Sequence, residues 1–576
     1  MTGSSARLEV DAGRLAIYVA LIAVLTVVVV LPLARFILRP YSSTARALNG
    51  PPIKHWFAGS WDADTYTNGR IVQEMQRNID EFGPVCSLTT LGRKTSFIVG
   101  DHKAANHVFL QKPYARSKLR VNILRRFVGR GLLTEEGATH RRQRKIANPA
   151  FTVNAVFDMA PIVREKVGTF MKRLQEYTTA DMDPSKTKYG TRIDISGDFQ
   201  RVTLDIIGKA GFGYEFDSLV KMGGHVSELH KAMIMSRDLN STRTLYATAR
   251  LVFDKPVTFL GRLFRVKEQV ILDKAQKILE DVCQDLVDRA KAEAESSGTH
   301  SSRDVLSLMV RANVSPDVKP SQRMSSKELI STVPVLLLAG HETTAATLSF
   351  AVHEFTKSEH GKKVQERIRS ELSESPGWDE DASMLDSLPY LDAVVREMLR
   401  QAPPIRRMSR EAPYDDVIPL ANPITLRDGT KTDRIRVSKG QGIELPVLYM
   451  NTCEQFWGSD GREFKPERWL SEDHEWYTGE SYMDPAVKEL RGVWSHLLTF
   501  GAGPQQCIGL RLAILELKFV LANLLTTFQL LPPTLPGEEP IKMSYLTPIA
   551  AFPVIVGKEK EGHTMPVRLL PLQTNA

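Results

Sequence analysis

A single cysteine near the C-terminus lies in a glycine-rich loop that leads directly into an apolar stretch. The loop reads Phe500-Gly-Ala-Gly-Pro-Gln-Gln-Cys507-Ile-Gly509. Glycines allow the backbone to turn sharply and to approach a flat ligand, and the amides at the start of the following helix favour a thiolate at Cys507. Because a thiolate is a strong donor to metals, we interpret Cys507 as a candidate iron ligand. The alternative is a small buried cysteine beside a turn.

A polar cluster interrupts the apolar run from Ile330 to Phe355, which is long enough for a buried helix. The cluster reads Ala339-Gly-His-Glu342-Thr343-Thr344. An unpaired polar group costs about 1–3 kcal/mol when it is buried, so we expect Glu342 and Thr343 to have partners or a task. Gly340 weakens the helix and favours a local bulge. The alternative is that Thr343 only bonds back to the preceding turn.

A pair of opposite charges stands in Glu397-Met-Leu-Arg400. Residues three apart share one face of a helix and can pair, although most such pairs are solvated and contribute little. Pro403 and Pro404 end this helix, and Phe464-Lys-Pro-Glu467-Arg468-Trp469 follows further along the chain. The pair by itself does not distinguish a buried bridge from a surface bridge.

Taken together, these motifs resemble those of the cytochrome P-450 family, in the same order, from about residue 55 to residue 560. The spacing Phe-x-x-Gly-x-x-x-Cys-x-Gly is that of the family's haem-binding loop, where a cysteine thiolate donates electron density to iron and favours O–O cleavage. The resemblance implies that Glu342 and Thr343 relay protons. It also implies a buried charge triad, structural in role, made by Glu397, Arg400 and Arg468.

The implied cofactor is haem b, with O2 as co-substrate, and its two propionates need cationic or hydrogen-bonding partners. By resemblance, His140, Arg144 and Arg410 hold the propionates. The loop residues placed around the haem are Phe500, Gly503 and Gly509. Gln505 departs from the pattern, because most relatives carry a basic residue two positions before the cysteine. One propionate contact is therefore expected to be neutral, and a neutral contact would hold the haem less tightly.

An uncharged apolar stretch covers residues 15–34, between Arg14 and Arg35. As a helix it spans about 30 Å, one bilayer core, whereas the apolar region of a cleaved signal peptide is usually about 7–15 residues long. Basic residues follow the stretch without acidic companions, so the positive-inside rule predicts a cytosolic body at the endoplasmic reticulum membrane. The predicted layout is a lumenal tail (1–14), a transmembrane signal anchor (15–34), a Pro/Gly linker (35–52) and a haem-binding catalytic domain (53–576).

The elements that must position these residues are mainly helical. Charged residues alternate with apolar ones at helical spacing from about Lys267 to Ala294, and either Ser325 or Ser326 can cap the helix that holds Glu342. Short apolar runs at 96–100 and 552–557 are strand candidates. The predicted class is mainly α with small β-sheets, which by resemblance is the cytochrome P-450 fold behind a single N-terminal transmembrane helix.

The net charge is +8 and the isoelectric point is about 9.1, with basic residues spread along the whole chain. This spread argues against nucleic-acid binding. The densest cluster, Arg141 to Lys145, adjoins a predicted haem-contact segment and favours docking of an acidic electron donor. The short stretch after Cys507 has no room for a flavin domain, so we expect electrons from a separate NADPH-cytochrome P-450 reductase. A b-type cytochrome is a second candidate donor.

Four cysteines in 576 residues are too few for a disulfide-built fold and suit a reducing compartment. The leading hypothesis is a membrane-bound monooxygenase that acts on a hydrophobic small molecule. That molecule is a secondary metabolite such as a terpenoid, or a xenobiotic such as a polycyclic aromatic. The alternatives are a haem-thiolate isomerase or dehydratase that needs no reductase, and a non-enzymatic haem sensor or electron carrier. The Glu342–Thr343 pair favours the monooxygenase hypothesis.

Overall fold

The computed structural model describes residues 44–572 and a few isolated positions between 20 and 38. Within 44–572 the described chain excludes 56–58, 62–64, 66–69, 91–93, 181–188, 221–253, 296–302, 480–481, 491 and 547–549. Apart from those isolated positions, the predicted tail, transmembrane segment and first half of the linker lie outside the described residues.

Helices make up most of the body. In the part of the chain described, they are α1 Ile71–Phe82, α2 His102–Asn106, α3 Lys118–Val128, α4 Gly137–Ala147, α5 Val153–Phe157, α6 Ala160–Ala180, α7 Ser196–Phe212, α8 Asp254–Leu263, α9 Lys267–Glu295, α10 Val305–Val314, α11 Ser326–Thr356, α12 Glu359–Ser373, α13 Ala382–Ser387, α14 Pro389–Gln401, α15 Val447–Thr452, α16 Glu454–Trp457, α17 Pro485–Lys488 and α18 Leu510–Thr527. The prediction of a mainly α chain is confirmed, and the predicted amphipathic helix is α9.

The strands form small sheets at the edges of the helical body. They are β1 Val85–Thr90, β2 Lys94–Val99, β3 Ala115–Arg116, β4 Thr191–Asp194, β5 Met408–Glu411, β6 Asp416–Thr425, β7 Lys431–Val437, β8 Gly442–Leu445, β9 Phe528–Leu531, β10 Met543–Leu546, β11 Phe552–Ile555 and β12 Pro566–Pro571. The largest sheet has the order β1-β2-β8-β5-β3, in which β2 and β8 are parallel. The others are β4-β12-β9 and the pairs β6-β7 and β10-β11. Both strand candidates from the sequence are strands, β2 and β11.

The long helix α11 runs through the main hydrophobic core. Ser325 caps it in a capping box, in which the Ser325 hydroxyl accepts from the Glu328 amide and the Glu328 carboxylate accepts from the Ser325 amide. The predicted bulge at Gly340 is wrong, because α11 is continuous from Ser326 to Thr356. Gly340 instead allows α7 to approach, since a Cβ there would lie 2.7 Å from the Ile207 side chain.

Part of the predicted linker packs against the body. Ala45 and Leu48 are 1% and 2% exposed and lie in the core beneath the largest sheet. The amide of Ser87 in β1 donates to the Asn49 carbonyl at 2.8 Å. The fold therefore includes residues from Ala45 onward that the sequence assigned to the connector, because their apolar side chains are buried there.

By length and composition, one described helix, Pro320–Thr356, is apolar enough to cross a membrane. The bent pair Gly137–Phe151 and Val153–Ala180 would be a second such span if it were one helix. In Pro320–Thr356, however, 83% of the most apolar window is buried inside the protein. This is the environment of a core helix.

Candidate functional site

The cysteine loop is closed by its own backbone. Two short 3-10 turns, Leu498–Phe500 and Gly503–Gln505, precede Cys507, whose amide donates to the Phe500 carbonyl at 2.8 Å. Gly509 is the N-cap of α18. The loop therefore presents Cys507 at the start of a buried helix, as the sequence predicts.

One glycine in this loop is required by its surroundings. Gly503 has φ +66°, and a Cβ there would lie 2.3 Å from the Phe109 carbonyl oxygen. Gly509 differs, because a Cβ added there would have the Phe151 ring as its nearest neighbour, at 3.9 Å. The described chain therefore leaves space beside Gly509. Phe500 packs edge-to-face on Trp494, with ring centroids 5.3 Å apart.

The Cys507 side chain is exposed in the protein chain, although many protein atoms lie around the thiol. Burial raises the pKa of the Cys507 thiol, while the Gly509 amide and Arg144 act in the opposite direction. The Gly509 amide favours the thiolate, as expected, but burial outweighs it. A bound cation at the sulphur would reverse this balance, since a metal-coordinating thiol is deprotonated.

Two of the predicted propionate partners are buried without carboxylate partners. His140 is 4% exposed, and its Nε2 has no hydrogen-bond partner among the described residues. Burial, with further contributions from Arg116 and Arg144, lowers the pKa of His140 to about 4. Arg410 is 7% exposed, donates to the Ser409 carbonyl at 3.1 Å and lies 4.7 Å above the Phe109 ring. Burial and the charge of Arg116 lower the pKa of Arg410 to about 9.

Arg144 has a role that the sequence did not indicate. Its Nη1 donates to the Gln506 carbonyl at 2.5 Å, and its Nε donates to the Asn148 side chain at 2.9 Å. Burial lowers the pKa of Arg144, and Cys507 acts in the opposite direction. Arg144 therefore holds the backbone of the cysteine loop one residue before Cys507.

A further half-buried cation, Arg120 in α3, was missed by the sequence analysis. Burial and the nearby Arg407 lower the pKa of Arg120 to about 10. No pattern in α3 distinguishes Arg120 from the other arginines of that helix, since only the tertiary structure brings it toward Arg410. Arg120 adds a cation to the same group.

Glu136 is the carboxylate in contact with this group of cations in the described structure. It accepts from Arg116 Nη1 at 3.1 Å and from Gln505 Nε2 at 2.7 Å. His140 is neutral at pH 7, since its pKa is about 4. Glu136 and Glu444 are the carboxylates that act on Arg410, and they do not neutralise Arg116, Arg120, Arg144 and Arg410 together, whereas charges removed from water require compensation. Two propionates would supply it. The open position at Gly509, the unpaired His140 nitrogen and the excess of buried cations thus fit a haem.

Glu342 and Thr343 lie in the middle of α11, on the helix that crosses the core. Glu342 is 5% exposed, whereas the Thr343 side chain is partly accessible. The Thr343 hydroxyl donates to the Ala339 carbonyl at 2.8 Å, so the back-bond of the alternative interpretation is present. The hydroxyl oxygen can still accept hydrogen bonds. Consecutive helical residues do not face each other, so these two side chains diverge.

The structure brings Glu397, Arg400 and Arg468 together. Glu397 and Arg400 are both 0% exposed and form two bonds, Nη2–Oε1 at 2.7 Å and Nε–Oε2 at 2.9 Å. Arg468 Nε donates to Glu397 Oε1 at 3.1 Å, and Trp469 Nε1 donates to Oε2 at 2.9 Å. Burial alone would raise the pKa of Glu397, but Arg400 and Arg468 hold it below its ordinary value.

This charge group connects to the cysteine loop through two residues that the sequence did not single out. Arg400 Nη1 donates to the Asn451 carbonyl at 2.9 Å, and the Asn451 amide donates to the Thr499 hydroxyl at 2.9 Å. The Thr499 hydroxyl in turn donates to the Leu399 carbonyl at 2.7 Å. Thr499 directly precedes Phe500, so the loop is fixed to α14.

Comparison with known proteins agrees with this architecture. The family model described as "Cytochrome P450" matches residues 49–554. The chain is 32% identical to "Cytochrome P450 monooxygenase 128" of Postia placenta, over 86% of this chain and 88% of that protein. It is also 32% identical to "Cytochrome P450 monooxygenase 205" of the same fungus, over 92% and 94%. A third relative is "Cytochrome P450 monooxygenase claP" of Ampulloclitocybe clavipes, at 29% over 85% and 86%.

The match extends over most of the chain and takes in the cysteine loop, the centre of α11 and the buried charge group. Members of this family bind haem through a cysteine thiolate and use O2. On these grounds the chain belongs to the cytochrome P450 family and is a monooxygenase.

Proposed function

We propose that the protein inserts one oxygen atom from O2 into a hydrophobic small molecule at a haem b held by Cys507. The observation that carries this proposal is the exposed Cys507 side chain at the start of α18, next to the Arg144 contact with the loop and a group of cations with too few carboxylates. When bound, haem supplies a thiolate-ligated iron that activates O2.

The residues of the chain have separate tasks in this proposal. Cys507 donates its sulphur to the iron, while His140, Arg144 and Arg410 hold the propionates through charge-assisted hydrogen bonds. Gly503 lets the loop pass close to the Phe109 carbonyl, and Gly509 leaves space for the macrocycle. Glu397, Arg400 and Arg468 hold the proximal side of the pocket, together with Phe500.

Glu342 and Thr343 deliver protons in the proposed mechanism. Because the two side chains diverge from α11, a proton passes between them through water rather than directly. The Thr343 hydroxyl donates a hydrogen bond to the Ala339 carbonyl, and its oxygen accepts a hydrogen bond from a water molecule. The second bond holds that water at the accessible side of the helix.

Electrons come from a separate NADPH-cytochrome P-450 reductase, with a b-type cytochrome as a further donor. Within the basic cluster of α4, Arg141 and Lys145 are exposed, whereas Arg142 is paired with Glu328 of α11. The exposed pair supplies the positive charge that an acidic flavoprotein requires for steering. Product formation that depends on both NADPH and O2 would distinguish this proposal from a haem-thiolate isomerase or dehydratase. It would also distinguish it from a haem sensor or electron carrier, which forms no product.

The substrate class is a hydrophobic secondary metabolite such as a terpenoid, or a xenobiotic such as a polycyclic aromatic.

The body lies in the cytosol at the endoplasmic reticulum membrane, anchored by residues 15–34. The sequence contains two glycosylation sequons, Asn240-Ser-Thr242 and Asn313-Val-Ser315. The one at Asn313 cannot report on this topology, because Asn313 is 6% exposed and bonded to Met324. The one at Asn240 lies outside the described residues. An engineered sequon in the exposed β6–β7 turn, at Asp428→Asn, should stay unmodified in the native host, and a glycosidase-sensitive band would contradict the topology.

The ligand assignment is tested by the optical spectrum. The reduced protein under carbon monoxide should show the strongly red-shifted Soret band of a thiolate-ligated haem. Cys507→Ser should abolish that band, whereas Cys283→Ala, which removes a buried thiol of α9, should keep it. A normal band in Cys507→Ser would remove Cys507 from the site.

A further inference from the structure

Another half-buried cation, with a buried Nε, lies apart from the cysteine loop. Arg406 stands between α14 and β5, and its guanidinium lies 4.2 Å from the centroid of the Tyr545 ring. Its Nε has no hydrogen-bond partner in the described part of the chain. Burial lowers the pKa of Arg406 to about 10. The side chain remains charged at neutral pH, and no ion pair joins it to a carboxylate among the residues that the structure describes.

Arg406 lines a cavity of about 260 Å³ between α1 and the segment that leads into α15. Met75, Ile79 and Leu448 contribute apolar walls, and Gln73 contributes a side-chain oxygen that also has no described partner. No carboxylate is among the described residues that line the cavity. The cavity therefore combines an apolar lining with one unpaired positive charge.

The Tyr545 hydroxyl completes this polar group. It is buried and has no hydrogen-bond partner within the described ranges. The Tyr545 carbonyl accepts from Gln73 Nε2 at 3.2 Å, which fixes β10 to α1. The carboxylate that acts on Tyr545 is Glu354, which is paired with Lys357. The Arg406 guanidinium and the Tyr545 hydroxyl thus offer donors for which the described residues supply no acceptor at Nε or at the hydroxyl.

The described residues give Arg406 no charged neighbour in common with the propionate group. The charges that act on Arg410, in the propionate group, are Arg116, Glu136, Arg120 and Glu444. The group that acts on Arg406 is Tyr545. We therefore assign the anion at Arg406 to a ligand other than a haem propionate, and the haem content of Arg406→Gln tests this.

Arg406 nevertheless lies within reach of the reaction centre. The Tyr545 ring lies 6.0 Å from the Phe350 ring, centroid to centroid. Phe350 is two helical turns beyond Thr343 on α11, about 10 Å along the helix axis. A substrate held at Arg406 would therefore present a distant part of its body to the iron.

We propose that Arg406, assisted by the Tyr545 hydroxyl, binds the carboxylate of an otherwise apolar substrate. This inference rests on the proposed function, because it names the substrate class of the same site. Arginine binds carboxylates through paired N–H donors, and this pairing is strong where water is excluded. The preferred substrates are apolar acids, and oxidation occurs on a carbon remote from the carboxylate.

Matched pairs of ligands test the proposal. Dodecanoic acid and its methyl ester, and 1-pyrenebutyric acid and its methyl ester, are titrated into the haem-loaded protein. Binding is followed by the spin-state shift of the Soret band and, independently, by the rise in melting temperature. In at least one pair the acid should bind at least tenfold more tightly than the ester. No preference for the acid in either pair, including no binding at all, overturns the proposal.

The variants assign the preference to Arg406. Arg406→Gln should lose the preference for the acid, Arg406→Lys should keep part of it, and the exposed Arg434→Gln on β7 should keep all of it. Tyr545→Phe removes one donor without removing the ring and should weaken acid binding severalfold, which keeps the test available if Arg406→Gln does not fold. An unchanged preference in Arg406→Gln, or in Tyr545→Phe when Arg406→Gln does not fold, overturns the proposal.

The carbon monoxide spectrum separates this inference from the proposed function. Arg406→Gln should keep the wild-type haem content and the red-shifted band. Loss of haem in that variant would mean that Arg406 holds a propionate, and would overturn the substrate assignment alone. Absence of the band in the wild-type protein would instead contradict the proposed function, while the melting-temperature comparison would still report on the acid site.

Discussion

The side-chain amide of Gln505 donates a hydrogen bond of 2.7 Å to the carboxylate of Glu136. This bond joins the cysteine loop to the residue that precedes α4, the helix that carries His140 and Arg144. The sequence pattern places Gln505 where relatives carry a basic propionate partner. In the structure, Gln505 has a partner within the chain.

Substitutions at Gln505 should follow this contact. Gln505→Arg should pair with Glu136 and change the rate of haem loss by no more than about twofold, because partly exposed ion pairs contribute little. Gln505→Glu places a second carboxylate against Glu136 and should release haem faster. Transfer to apomyoglobin measures these rates. If Gln505→Arg instead lost haem much more slowly, with haem bound more tightly by on the order of 1 kcal/mol, the arginine would have to reach a propionate.

Arg144→Ala and Arg410→Ala should each release haem faster than Gln505→Ala. Both changes remove a buried cation, and Arg144→Ala also removes the bond to the Gln506 carbonyl. The same transfer assay ranks the three variants. Equal or slower loss from Arg144→Ala and Arg410→Ala would show that other residues hold the propionates.

Thr343→Ala should uncouple electron use from product formation. The variant should keep haem and substrate binding, while the ratio of product to NADPH consumed should fall about 10- to 100-fold, the range of general-acid assistance. Thr343→Ser keeps the hydroxyl and should retain most of the coupling. A wild-type ratio in Thr343→Ala would leave the Thr343 hydroxyl with only its bond to the Ala339 carbonyl.

Arg400→Leu should destabilise the protein strongly. It leaves the Glu397 carboxylate buried opposite Arg468 alone, and loss of one partner of such a group costs about 3–5 kcal/mol. The midpoint of urea unfolding measures the change. Arg289→Ala, which removes an exposed arginine paired with Asp285 on α9, should leave the midpoint unchanged. Similar midpoints for the two variants would contradict a buried structural role.

His102 should make the protein less stable as the pH falls. His102 is 1% exposed, and burial lowers its pKa to about 3 in the folded state, against about 6.5 when unfolded. Between these values the unfolded chain binds a proton that the folded chain does not. Stability from this group is therefore complete above about pH 6.5 and is lost toward pH 3, by up to about 1.4 kcal/mol per pH unit.

The free energy of unfolding, measured by urea titration from pH 7.5 to 5, should show this slope in the wild type. His102→Gln should reduce the slope by about one proton, which is the contribution of one titrating group. His55→Gln removes an exposed histidine and serves as the control. An unchanged slope in His102→Gln would mean that His102 is protonated in the folded protein.

Local patterns were sufficient for the elements that hold the site. The apolar run around Glu342 predicted α11 and a serine cap at Ser325 or Ser326, of which the structure has Ser325, because a buried helix needs a continuous apolar surface and an N-terminal acceptor. The glycines around Cys507 predicted a tight loop before α18. The mainly α class followed from the same helical spacing.

Contacts between distant segments could not be predicted in this way. Glu136 and Gln505 are far apart in the chain, and neither lies in a pattern that indicates the other. Gly340 looked like a weak point in a helix, yet its lack of a side chain serves the packing of Ile207. The isolation of Arg406 is also a tertiary property, since a sequence does not show which arginines lack an acid.

The bonds that link Arg400 to the cysteine loop through Asn451 and Thr499 are made entirely by protein groups. The proximal wall can therefore assemble before any cofactor arrives. Haem would then bind to a proximal wall that has already folded, and it would not be required as a template for folding. Chains made under haem starvation should accumulate as a membrane-bound, protease-resistant pool that recovers its spectrum when haem is added.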